Sequence, residues 1–155
     1  MGTFRLVTGQ VDGGCRLIFS DSVLQEANPK LFVVFTDAGG ASAALKSAAA
    51  WADRLNFGIE LIVPQIVPYP LPASQPTVAI EFTLGEIRRL ALDTGIAADV
   101  HVCLCRDRLQ ALAEMLPAHS IVVLGARRSV WPTAASRLTR QLRKRGHVAI
   151  LAKYE

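Results

Sequence analysis

Residues 121–138 read IVVLGARRSVWPTAASRL, and the chemistry they offer is anion binding. Gly125 ends an apolar run and allows a backbone to approach a ligand closely. Arg127 and Arg128 can give phosphate bidentate, charge-assisted contacts. Ser129 and Ser136 add hydroxyls, and a helix opening near Pro132 would aim its free amides at the same place. Asp37, at the end of LFVVFTD, either touches a ligand or caps the helix that follows. Plain solvated loop charge is an equal reading of the two arginines.

The remaining reactive residue types lead elsewhere. Cys15, Cys103 and Cys105 are the three cysteines, an odd number that does not suggest a disulfide framework. In VHVCLC, His101, Cys103 and Cys105 share one strand face. A metal there would need further ligands, so no metal site is expected and the thiols read as buried and inert. No nucleophile has a base placed beside it, so no catalytic residue is assigned and an enzyme is not expected.

Charge is uneven along the chain. Residues 1–114 hold 9 basic and 12 acidic side chains, whereas residues 115–155 hold 8 basic and 1 acidic. The excess of +4 therefore resides in the last quarter, a pattern that suggests an anionic partner. Arg137, Arg140 and Lys144 fall on one face of a helix, opposite Leu138 and Leu142, either as a solvated face or as an anion-binding surface. Trp131, beside Pro132, is expected to pack on its own domain, with base stacking as the alternative. Aromatic residues are 6% of the chain, which disfavours a nucleic-acid module. No apolar run is long enough for a membrane span and the first residues lack a secretion signal, so no membrane partner and a cytoplasmic location are expected.

These residues need elements to position them. From Leu31 the sequence alternates strand and helix: LFVVFTD, an Ala-rich helix, FGIELIV, a proline-rich loop, a helix weakened by Gly85, ADVHVCLC, a helix stopped near Pro117, SIVVLGA, a last helix and HVAILAKY. Ala44, Ala48, Trp51 and Leu55 form the expected buried stripe of the first helix. Pro132 suits a first helical position and Gly146 the residue past the end. Such alternation specifies an α/β, doubly wound parallel sheet, with ligands beyond the carboxyl ends of the strands. Asp37, Val63 and Gly125 fall at such ends. Residues 1–30 read as a separate β-hairpin extension around Asp12-Gly13-Gly14, and residues 31–155 as the α/β domain.

LFVVFTDAGGASAALKSAAAWADRLNFGIELIV, SIVVLGARRS and LTRQLRKRGHVAILA resemble, in order and position, the opening, phosphate loop and close of a universal stress protein domain. That family belongs to the adenine-nucleotide alpha-hydrolase-like superfamily. ARRSVW is most similar to the loop of the version found in osmosensitive potassium-channel sensor kinases. The resemblance covers residues 31–153 and implies a five-stranded sheet in the order 3-2-1-4-5. It further implies homodimerisation through the carboxyl-terminal edge strand and a signalling or stress-response role. Asp37 matches the family's nucleotide-contacting acid. ATP-binding members carry Gly-x2-Gly-x9-Gly-Ser/Thr after the fourth strand. Here Gly125 matches the first glycine, Arg128 replaces the second, and Leu138-Thr139 or, with a shorter loop, Ala135-Ser136 stands at the end. A Cβ where positive φ is needed costs on the order of 1 kcal/mol. The expectation is a degenerate site binding ATP or AMP weakly or not at all. The alternatives are a dimerising module that binds a protein partner without nucleotide, or nucleic-acid binding through the basic carboxyl-terminal region.

Overall fold

The computed structural model describes residues 4–6, 16–17, 29–66 and 78–155. The strands are β1 (Phe4–Leu6), β2 (Arg16–Leu17), β3 (Lys30–Val34), β4 (Gly58–Ile66), β5 (Ala98–Cys105), β6 (Ile121–Arg127) and β7 (Val148–Tyr154). The helices are α1 (Ala38–Leu55), α2 (Val78–Thr94), α3 (Arg108–Met115) and α4 (Ala134–Lys144). The strands lie in the order β1-β5-β4-β3-β6-β7, with β2 also pairing β5. Counted from Lys30, the five strands of the αβ units are all parallel in the order 3-2-1-4-5, as expected.

The sequence alternation in β3 explains the two layers. Leu31, Val33 and Phe35 join Ala41, Leu45, Ala48, Leu61, Val63 and Val102 in one core cluster. Phe32 and Val34 join Ile62, Leu112, Leu124, Leu138 and Leu142 in the other. A strand apolar on both faces requires cover on both faces, and the crossover helices provide it.

The N-terminal strands extend the same sheet. Phe4–Leu6 runs parallel to Ala98–Val100, and Arg16 and Leu17 lie antiparallel to Leu104 and Cys103. Both described pairings are made with β5, end to end along its outer edge. The Asp12-Gly13-Gly14 turn lies outside the described residues.

Two helix readings need correction. The buried stripe of α1 is Ala41, Ala44, Leu45, Ala48 and Ala52, whereas Trp51 and Leu55 are 46% and 45% exposed. The cause is backbone contact in the first turn: a Cβ on Gly40 would lie 2.6 Å from the carbonyl oxygen of Gly125, so Gly40 and Ala41 fix which side of α1 meets the sheet. In α4, Thr133 takes the N-cap, accepting from the Ser136 amide at 3.1 Å, and Pro132 sits just outside the helix. A hydroxyl at the cap satisfies a free amide, which proline cannot do. Gly146 has φ +91° beyond the end of α4, the conformation expected of it there.

Candidate functional site

The carboxyl ends of β3, β6 and β7 converge on the first turn of α1. Asp37 Oδ1 accepts the Gly40 amide at 2.7 Å and so caps α1. The same oxygen accepts the Tyr154 hydroxyl at 3.1 Å. The Tyr154 ring lies so close over the helix start that a Cβ on Gly39 would come within 2.7 Å of its hydroxyl. The Tyr154 phenol is pushed above its ordinary value, first by burial, then by the charge of Asp37 and the bond to it, with Arg127 partly opposing. Tyr154 was not among the residues expected here. Its only sequence signal is an aromatic hydroxyl at the end of the last strand, in register with Arg127.

Gly125 lies inside β6, two residues before its end, and is buried. A Cβ there would fall 1.8 Å from the Gly40 carbonyl oxygen, so its lack of a side chain serves the α1–β6 contact. The Thr36 hydroxyl donates to the Gly125 carbonyl at 3.3 Å. Val63 lies within β4 with its side chain in the core, because the strand continues to Ile66. A ligand could meet only its backbone.

The loop after β6 forms a second group. Arg127, Ser129, Val130, Trp131, Ser136, Arg140 and Lys153 are among the residues lining a pocket of about 230 Å³. Its hydroxyls are engaged locally: Ser129 Oγ accepts the Trp131 amide at 3.1 Å, and the Ser136 hydroxyl donates to the Thr133 carbonyl at 2.8 Å. Arg128 turns away along β7. Its amide donates to the Tyr154 carbonyl at 2.7 Å, and its guanidinium meets Glu155 at 3.2 Å. Thus Arg127, Ser129 and Ser136 are brought together, Asp37 and Gly125 stand at the α1 turn, and Arg128 links the loop to the end of β7. Trp131, expected to pack on its own domain, is 79% exposed. The hydrogen bond of its amide to Ser129 holds the turn while leaving the indole without cover.

The cysteine strand is partly corrected. Cys105 is buried and free, and burial pushes its thiol up to about 11, so it is protonated and inert at neutral pH. Cys103 is disulfide-bonded rather than a free thiol; it is fully buried in a cluster with Cys105 and Ala111, and Leu17 of β2 is its register partner. Among the described residues no group of three His, Cys, Asp or Glu is arranged to hold a metal ion.

One charged cluster escaped the sequence reading. Glu60, within the apolar run of β4, accepts from Lys30 Nζ, and its Oε2 lies 3.2 Å from His101 Nε2. The imidazole is close enough for an ion pair when protonated, although it is not aligned for a hydrogen bond. Burial alone would raise the Glu60 carboxyl, but His101 and Lys30 outweigh it and hold the group below its usual value. Lys30 and Glu60 border a groove of about 570 Å³ with Phe32, Phe57 and Met115, at the opposite end of the sheet from Asp37.

No protein-family model and no curated protein sequence matches this chain. No described helix is long and apolar enough to cross a membrane.

Proposed function

We propose that this chain is a universal-stress-protein-like signalling domain whose nucleotide site is degenerate, binding ATP or AMP weakly or not at all and catalysing nothing. The reading is carried by the Tyr154 hydroxyl on Asp37, with the ring held against Gly39. A nucleotide using Asp37 and the start of α1 must displace that ring and forfeit its hydrogen bond. The replacement of the second family glycine by Arg128, whose guanidinium is paired with Glu155, supports the same reading. Losing two or three charge-assisted hydrogen bonds, at roughly 1.5–3 kcal/mol each, weakens a micromolar site towards millimolar.

Calorimetry with ATP and AMP tests this. The expected dissociation constant is on the order of millimolar or weaker, and Tyr154→Ala should tighten it by removing the competing ring. Low-micromolar ATP binding by the natural chain, lost in Asp37→Ala and Arg128→Ala, would overturn the proposal.

A second reading, a dimerising module that binds a partner without nucleotide, is favoured by β7. It is an outer strand of the described sheet, and Val148 at its start is 56% exposed. An apolar outer strand is a template for pairing with a second copy.

A further inference from the structure

We infer that the loop between β6 and α4 is a docking tip for the surface of an anionic lipid bilayer. Two consecutive apolar residues, Val130 and Trp131, stand at its apex, and Val130 is 99% exposed. Nothing in the described fold covers them. Around them lie Arg127, Arg140 and Lys153 on one side and Arg128 on the other, lining concavities of about 230 and 670 Å³ that have no acidic residue in their walls. The nearby carboxylate, Glu155, is paired with Arg128 and the two cancel, so the net charge of the collar comes from Arg127, Arg140 and Lys153. Arg127, Arg128, Arg140 and Lys153 are all exposed.

An apolar apex inside a basic collar fits the layered chemistry of a membrane surface. Anionic headgroups attract the collar within about a Debye length. The indole then settles at the headgroup level, where an amphipathic ring is favoured, and Val130 reaches the acyl boundary beside it. Nucleic acid fits less well, because the more exposed of the two apex residues has no aromatic face on which a base could stack. This departs from the sequence-based expectation of no membrane partner, which rested on the lack of a spanning segment; a peripheral contact needs no span. This inference does not rest on the nucleotide reading.

The test is co-sedimentation of the full chain with vesicles of phosphatidylserine and phosphatidylcholine, against vesicles of phosphatidylcholine alone. Binding should be at least about tenfold stronger to the anionic vesicles and weaken as salt rises. Trp131→Ala and the pair Arg127→Glu with Lys153→Glu should each lower it by about tenfold or more. In a Trp51→Phe background, Trp131 emission should shift to the blue with anionic vesicles but not with soluble glycerophosphoserine or inorganic phosphate. Absence of vesicle binding at low salt, equal binding to neutral vesicles, or an unaffected Trp131→Ala would overturn the inference. So would tighter binding to a mixed-sequence DNA duplex than to vesicles.

Discussion

A glycine can be retained for a ligand or for a neighbour, and Gly125 answers to a neighbour. Its missing side chain leaves room for the Gly40 carbonyl. Gly125→Ala should therefore cost roughly 1–3 kcal/mol or more through overpacking against backbone, read as a lower denaturant midpoint. Gly85 is the contrast: it is exposed in α2 and a Cβ there would meet nothing within 4 Å. Gly85→Ala should stabilise by about 0.5–1 kcal/mol, since alanine restricts the unfolded chain more and suits a helix interior. Glu60 gives a pH signature at the same scale. Its carboxyl is held below its usual value in the folded chain, so its stabilising contribution is present above the unfolded value, near 4.5, and is lost as pH falls through the folded one. The stability gap between the natural chain and Glu60→Gln should close as pH falls through that acid window. A gap unchanged down to the acid transition would contradict this.

At the level of elements, the caps and buried faces decide which helices are robust. α3 spans only Arg108–Met115, and Asp107 accepts the amides of Leu109 and Gln110 at 2.8 and 3.2 Å. A helix this short is marginal by itself, so Asp107→Ala should cost about 0.5–2 kcal/mol, visible as a lower melting temperature. In α4, Leu142 is fully buried between the helix and the sheet, with Leu138 beside it and Arg137, Arg140 and Lys144 turned to solvent. Leu142→Ala should cost about 2–5 kcal/mol, whereas Arg140→Ala should leave chemical denaturation within about 0.5 kcal/mol of the natural chain. That separation matters, because Arg140 can then be altered to test anion or membrane contact without unfolding the domain.

For the whole molecule, the parallel sheet has unequal edges. On the β5 side, β1 and β2 extend it, whereas β7 has β6 as its described partner. Pairing between copies is therefore expected through β7, giving a homodimer at micromolar concentration by light scattering. Lys153→Pro, near the end of that strand, should weaken such a dimer by removing a donor and stiffening the edge. A monomer at those concentrations would count decisively against edge pairing. The bilayer-facing loop lies at the carboxyl end of the same β6–β7 pair, so a dimer built there would present two basic collars.

The alternation of apolar strands with helices was enough, by itself, to specify a parallel α/β sheet, since runs apolar on both faces must be covered on both. The buried Leu138 and Leu142 and the positive φ of Gly146 were likewise legible, because each depends on local spacing, and the cap was one of two equal readings of Asp37. What only the tertiary structure decided depends on contacts between residues distant in the chain. Tyr154 reaches Asp37 across 117 positions, and Gly125 meets Gly40 across the β6–α1 seam. Lys30, Glu60 and His101 gather from three strands. Trp131 stays uncovered because no described element packs over its turn. Periodicity records which face of an element is buried, but the partner waiting on that face is fixed only when the sheet closes.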